Sequence, residues 1–273
     1  VKYTEELEEY ADYLLNKELA EQTKKIYIAQ AEKFLDYMEE RTVTKKETVA
    51  YKKMLLEQGQ KLSTINLHIT AVNSYLKYAG CADCTVKTQK QQNRQTPDNL
   101  ITLREYRELL AWARESGREK YYYLMRTLAL TGIRISELSG CSIEALEQGN
   151  FVVCNKGKSR KIYLPEKLVE ELKEYCRKSN IREGVIFRGN TGKPISRIAV
   201  YKMLVKLADE LGISKGKVHP HGFRHLFATT YMQQYSNLFE LADLLGHSSL
   251  ETTRIYTATT ADEKRRKINK LEL

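Results

Sequence analysis

The sequence predicts a mainly α chain with a small antiparallel β-sheet, arranged as two domains. Three observations carry this. Apolar residues recur at the helical period through most of the 273 residues. Two short β-rich runs bracket a basic stretch, Asn155 to Arg160, in the manner of a hairpin. A segment poor in apolar side chains, Cys84 to Leu100, separates two patterned halves and carries Pro97. The domains then run over 1–84 and 101–273, with a basic linker over 85–100.

The first half reads as four helices. Tyr27, Ala31, Phe34, Leu35 and Met38 form one apolar stripe within Thr23–Glu40, and Ile65, Ile69, Val72, Leu76 and Ala79 form another within Ser63–Ala79. Ser63 is the expected N-cap of the latter and Gly80 its expected stop. Shorter helices are expected over Glu5–Asn16 and Lys46–Glu57. This makes a small bundle with no catalytic constellation of its own. Cys81 and Cys84 have a zinc-like spacing, but no second pair or nearby His completes four ligands, so they mark a helix end. Lys87, Lys90 and Arg94 in the linker are spaced to follow a phosphate backbone.

The second half opens at Thr102-Leu-Arg-Glu105, the Ser/Thr-x-x-Glu pattern of a capping box. Helices are expected over 103–115 and 120–130, then a turn at Gly132 and a helix start in Thr131-Gly-Ile-Arg-Ile-Ser-Glu-Leu138. Strands over 150–154 and 161–164 make the hairpin with its basic tip. Helices over 166–178 and 196–211 flank a short strand, Val185-Ile186-Phe187, and the rest to Tyr256 is helical. The four prolines all fall in expected loops or element boundaries.

Composition narrows the partners. The net charge is +10 and the pI about 9.2, which favours a polyanion such as nucleic acid. The charge is uneven. Residues 1–45 carry seven Lys/Arg against eleven Asp/Glu, whereas residues 151–220 carry sixteen against seven, a net of +9 beside the chemistry-rich last quarter. Five cysteines, an odd number, argue against a disulfide framework and agree with a reducing compartment. No apolar run is long enough to span a membrane and no signal-peptide segment opens the chain, so the expected location is cytoplasmic, with no membrane partner.

The last quarter, with HPHGFRHLFATTY and LLGHSSLETTRIY, sets out two imidazoles, a guanidinium and a phenol: His221, Arg224, His247 and Tyr256. Such a set suits attack on a phosphate ester. A transferring phosphodiester builds charge on its non-bridging oxygens, and guanidinium answers it with a fixed fork of donors. Arg134 supplies a second guanidinium, with Glu137 three residues on to hold it. Lys156 on the hairpin tip is a candidate general acid, with Lys158 and Lys161 as competitors. A free phenol is about 0.1% ionised at pH 7, so a nucleophilic Tyr256 needs a base or cations nearby. His219 and His225 read as structural or supporting residues. The alternative in which His219, His221 and His225 bind a metal lacks the Glu of an H-E-x-x-H helix.

Together, TGIRISEL, NKGKSRKIYLP, HPHGFRHLFAT and LLGHSSLETTRIYT resemble the motifs of the tyrosine recombinases, or phage integrase family, in order and spacing over roughly residues 100–260. The resemblance implies an N-terminal core-binding domain and a C-terminal catalytic domain. It implies that Tyr256 attacks the scissile phosphate to give a 3′-phosphotyrosine. Arg134, Arg224 and His247 would hold the phosphate, Lys156 would protonate the leaving 5′-oxygen, and His221 would handle the Tyr256 proton. No cofactor and no metal are implied. The implied partners are double-stranded DNA with specific core sites and three further copies of the chain, a homotetramer on DNA built from monomers in solution. Phe223 stands where Leu is usual and Asn155 where Gly is common, and neither removes a catalytic group. The segment after Tyr256 corresponds to a terminal helix that family members dock into a neighbour. Alternatives are a type IB topoisomerase or telomere resolvase, which share the chemistry, and a DNA-binding protein without catalysis.

Overall fold

Helix α1 (Thr4–Asn16), α2 (Glu21–Met38), α3 (Lys45–Glu57) and α4 (Leu62–Tyr78) form in the computed structural model because each keeps an apolar face at helical spacing. The structure describes residues 4–39, 41–89, 100–155, 157–247, 249–257 and 269. The faces meet in one core: Tyr10 and Leu14 from α1, Phe34 and Met38 from α2, Tyr51 and Leu55 from α3, and Ile65, Ile69, Val72 and Leu76 from α4 are all buried. Aromatic edges lock it, with Tyr10 on Tyr75 at 5.4 Å and Phe34 on Tyr51 at 5.2 Å. Thr44 caps α3 by accepting from Glu47 N. Ser63 does not cap α4. That helix starts one residue earlier, at Leu62, with Lys61 in the cap position and no side-chain cap bond.

The first residues of the expected linker pack on α4. After α4 and the 3₁₀ turn Ala82–Cys84, residues 85–89 are bound to α4 by two asparagines. Asn73 donates to Val86 O at 2.8 Å and accepts from Val86 N at 2.9 Å, and Asn66 does the same for Gln89. Polarity hid this, because backbone groups satisfied by side-chain amides need no apolar neighbours. Lys90 and Arg94 lie outside the described residues. The chain divides into two compact units, Val1–Arg94 and Gln95–Leu273.

The second unit begins with α5 (Leu103–Glu115), whose capping box is formed in full by Thr102 and Glu105. Helix α6 (Glu119–Thr131) ends at Gly132. A 3₁₀ turn, Ile135–Gly140, replaces the expected helix start, and α7 (Ile143–Gln148), capped by Ser142, was not expected. Strands β1 (Asn150–Asn155) and β2 (Lys158–Tyr163) pair antiparallel, with Phe151 opposite Ile162 and Val153 opposite Arg160. One face, with Phe151, Val153 and Ile162, is buried, while Val152 and Tyr163 stay exposed. The second strand starts three residues earlier than expected, at Lys158, so the hairpin closes between Asn155 and Lys158.

Helix α8 (Glu166–Lys178) and α9 (Arg197–Glu210) follow. The expected strand at 185–187 is reduced to isolated bridges, Ser142 with Val185 and Arg188 with Pro194. Then come α10 (Pro220–Tyr235), α11 (Leu238–Leu245), α12 (Leu250–Arg254) and a 3₁₀ turn, Ile255–Thr257. Leu109, Leu124, Leu128, Leu168, Leu172, Val200 and Phe223 sit in the main core. Phe223 meets Tyr106 edge-on at 6.2 Å, so the larger side chain is accommodated by an aromatic neighbour. The expected terminal helix lies, apart from Thr257 and Asn269, outside the described residues. Among the described residues no helix is long and apolar enough to cross a membrane.

Candidate active site

Two glycine turns frame the site. Helix α6 ends at Gly132 with φ +61° and α11 at Gly246 with φ +62°, both left-handed. A Cβ at 132 would lie 2.5 Å from Phe227 Cδ1, and one at 246 would lie 2.7 Å from Arg160 Cδ. Each helix end leaves carbonyls without a helical partner, at the negative end of the helix dipole. Arg224, from the second turn of α10, fills the gap between them. Its Nη1 donates to Gly132 O at 2.6 Å and its Nη2 to Leu245 O. The side chain is buried, and its Nε has no hydrogen-bond partner among the described residues. Burial first, then Arg134 and Arg160, push its pKa down to about 10, which leaves it charged at neutral pH. A buried cation with an unused donor is an incomplete structure that an anion completes.

Glu137 organises the remaining guanidiniums. Its Oε2 accepts from Arg134 N at 2.8 Å and its Oε1 from Arg134 Nη1 at 3.1 Å. The same carboxylate takes a bidentate pair from Arg160 on β2, at 2.9 and 2.7 Å. Arg160 Nε also donates to Leu244 O at 3.2 Å and Arg134 Nη2 to Gly246 O at 3.3 Å. Hairpin, 3₁₀ turn and α11 are thereby joined through charge. Burial pushes the Glu137 carboxyl up, but hydrogen bonds from Arg160 and Arg134 outweigh it and hold the group below the usual carboxylate range. Arg134 and Arg160 share this carboxylate, whereas Arg224 has no ion pair among the described residues.

Imidazoles and phenol complete the site. Tyr256 Oη is hydrogen-bonded to Nδ1 of His225 at 2.7 Å, and the phenol ring packs on Ala228, Leu241 and Leu245. Burial raises the phenol to about 12, with Arg224 acting the other way. Burial, then His221, His219, Arg224 and His247, lowers His225 to about 4. Phenol and imidazole are therefore both neutral in this pair, and the imidazole tautomer sets which of the two donates. The exposed His221 meets His225 edge-on with centroids 4.5 Å apart. Desolvation, then Arg224, His219 and Arg134, lowers the His221 pKa. His247 Nδ1 lies 2.8 Å from the Oγ1 of the buried Thr253, and burial followed by Arg224 and Arg134 lowers this imidazole to about 4.

Arg134, His221, Arg224, His247 and Tyr256 thus gather in one region, each acting electrostatically on others of the set. Lys156 lies outside the described residues. The phenol's hydrogen bond runs to His225, read from sequence as structural, and none of the described hydrogen bonds joins Tyr256 to His221. Arg160 and Thr253 also went unnoticed. For His225 a signal existed: it follows Arg224 directly and stands one helical turn from His221. For Arg160 the signal was blurred by the lysines around it. Among the described residues no group of three or more His, Cys, Asp or Glu is arranged to hold a metal ion.

The phage integrase family model matches residues 99–263, and the model for the phage integrase N-terminal SAM-like domain matches residues 7–81. The chain belongs to the phage integrase family, the site-specific tyrosine recombinases. A tyrosine recombinase of Pseudothermotoga lettingae is 31% identical, with 97% of each chain covered. Tyrosine recombinase XerA of Pyrococcus furiosus is 29% identical over 99% of this chain and 95% of its own. In structure, the integrase of transposon Tn1549, solved in complex with transposon right-end DNA, matches with a TM-score of 0.75 at 18% identity, covering 97% of this chain and 99% of that one.

Proposed function

We propose that this recombinase cleaves and rejoins double-stranded DNA at specific core sites through a 3′-phosphotyrosine on Tyr256, acting in the cytoplasm as a homotetramer on DNA. The observation that carries the reading is the buried Arg224, whose Nε has no partner among the described residues, beside a docked Tyr256. In this reading Arg224 and Arg134 receive the non-bridging oxygens. Preorganised donors of this kind are worth roughly 3–4 kcal/mol each at comparable sites. Neutral His247 donates its Nε2 proton to the phosphate while Nδ1 accepts from Thr253. Lys156 protonates the leaving 5′-oxygen. The basic excess of residues 151–220 supplies the wider DNA surface. Residues 1–84 clamp the duplex with residues 101–273, joined through 85–100. The phosphotyrosine conserves the energy of the broken bond, so rejoining draws on no nucleotide.

The test is a suicide duplex, nicked so that the cleaved end diffuses away, incubated with the full chain in EDTA and run on a denaturing gel. A protein–DNA adduct that is absent in Tyr256→Phe supports the reading. No adduct on duplexes that the chain selects from random DNA overturns it.

A further inference from the structure

We infer that Cys81 and Cys84 form a thiol–disulfide exchange site, which takes a small-molecule disulfide as co-reactant and closes into a bridge just before residues 85–89. The site lies in the first unit and is independent of the recombinase reading. The five cysteines are not equivalent. Cys141 and Cys176 are buried, and burial pushes their thiols up to about 12 and about 11. Such thiols stay protonated and inert. Cys154 is exposed, but its neighbour within hydrogen-bond reach is Ser159 Oγ, at 3.0 Å. Cys81 and Cys84 share one turn, and both are half-buried, open to a small reagent.

Backbone geometry sets their approach. Cys84 N donates to Cys81 O at 2.9 Å, and Thr85 N to Ala82 O at 3.2 Å. These are successive i→i+3 bonds of the 3₁₀ turn Ala82–Cys84 that follows α4. At three residues per turn, side chains three apart eclipse, so the two thiols leave the turn on one side. Both pack against the core of the first unit. Cα atoms across an i→i+3 turn stand less than about 7 Å apart, and a disulfide spans about 4.4–6.8 Å. The sulfurs make weak contacts. Cys81 Sγ donates to Ala79 O at 3.6 Å and Cys84 Sγ to Val43 O at 3.8 Å. A thiol is a weak donor, so side-chain rotation away from these carbonyls costs little.

The exchange runs in two balanced steps. One cysteine, as its thiolate, attacks the small disulfide; a chain-to-reagent S–S bond forms and one small thiol leaves. The second cysteine attacks the chain-side sulfur, the Cys81–Cys84 bond forms, and the other small thiol leaves. The chain loses two hydrogens and two electrons, and the small disulfide gains them. Excess small thiol reverses both steps. In a reducing compartment the bridge is transient and forms as the thiol pool is oxidised.

The residues beyond the turn give the bridge a consequence. Thr85 O accepts from Lys45 Nζ and Lys87 O from Lys52 Nζ, while Asn73 and Asn66 hold Val86 and Gln89. A bridge across the turn removes the unwound conformations from which this segment opens. Oxidation therefore braces residues 85–89 against α4.

The full chain is incubated with oxidised and reduced glutathione in graded ratios, quenched with acid, unfolded and alkylated, and its free thiols are counted by mass and peptide map. As the oxidised share rises, the chain is expected to lose two hydrogens in one step, with Cys81 and Cys84 escaping alkylation. Cys81→Ser and Cys84→Ser should each retain one glutathione instead, because the resolving thiol is missing. Two cysteines three residues apart can also pair in an unfolded chain, so the titration is repeated in urea. The folded chain should reach half-oxidation at a ratio about tenfold lower. Exchange of the Val86 N–H should slow about tenfold in the oxidised chain, and dithiothreitol should reverse this. Melting temperatures close to wild type show that the serine variants are folded, and alanine variants repeat the test should either melt early. Thiols that stay free in pure oxidised glutathione, bridges that map to Cys154 or join two chains, or equal half-oxidation ratios with and without urea overturn the site. Val86 exchange that is unchanged or faster after oxidation overturns the brace.

Discussion

Both units bury an apolar core, but the second also buries charge. In Val1–Arg94 the large buried groups are Tyr10, Phe34 and Tyr51, aromatic rings that interlock edge to face. In Gln95–Leu273 they include Arg224, with Glu137 and His225 buried nearby. Burying a ring removes apolar area from water and contributes roughly 1.5–3 kcal/mol. Arg224 has no ion pair among the described residues, and burying it costs free energy that two hydrogen bonds to carbonyls do not return in full. The first unit is built to be stable, and the second holds part of its interior ready for an anion. Variants can break this contrast or sharpen it.

The largest effect belongs to Tyr256→Phe. The ring still packs on Ala228, Leu241 and Leu245, so folding is retained, but the nucleophile is gone. Covalent adduct should fall on the order of 10⁴-fold or more, with the melting temperature unchanged. An adduct of wild-type yield would move the chemistry away from this site and leave its buried charge unexplained.

Glu137→Ala comes next and strikes stability. Arg134 and Arg160 lose a shared, buried carboxylate, so the fold should weaken by about 3–5 kcal/mol in urea denaturation. The pH dependence follows the same residues. Because the Glu137 carboxyl is held below its ordinary range, its contribution is full above the usual carboxylate pKa and is lost as pH falls through its folded value. His225 and His247, held neutral to about 4, add a loss that begins near 6.5, where unfolded imidazoles take up protons, and grows down to about 4. Stability should decline on that acid side. A flat profile from 6.5 to 4 would show that these imidazoles are not buried as described.

Gly246→Ala is a smaller, sharper probe. At φ +62° an alanine is strained by about 1–2 kcal/mol, and its Cβ would push on Arg160. Arg160 braces Glu137 and hence Arg134, so cleavage should slow by up to about 10²-fold while the first unit melts as before. Equal loss of stability and activity would mean that the turn matters only for folding.

What could be read in the sequence follows the same divide. Helices α5 and α8 were legible to the residue because a Thr102–Glu105 cap and a full apolar stripe state their limits locally. That Arg134, Arg224, His247 and Tyr256 lie in one region was legible from the order of their motifs. The contact of Tyr256 with His225 was not read, because it spans 31 residues and no local pattern encodes which of two imidazoles a distant phenol will meet. Arg160 was hidden likewise: pairing across the hairpin and α11, not composition, selects it among four nearby cations. The short α7 carries too few residues to display a period.

The polar stretch after α4 is where the first unit departs most from a sequence reading, and Asn73 tests it at the smallest scale. Its amide makes two hydrogen bonds to Val86, one through each end, as a neighbouring strand would. Each such bond contributes about 0.5–1.5 kcal/mol net, so Asn73→Ala should cost about 1–2 kcal/mol. The hydrogen-exchange protection of Val86 N–H should vanish while that of the α4 core amides changes little. The site chemistry should be untouched: adduct formation on a saturating duplex stays at the wild-type rate. If that rate fell with the melting temperature restored by a stabilising solute, residues 85–89 would be transmitting something to the reaction. The division between a unit that stabilises and a unit that reacts would then be too simple.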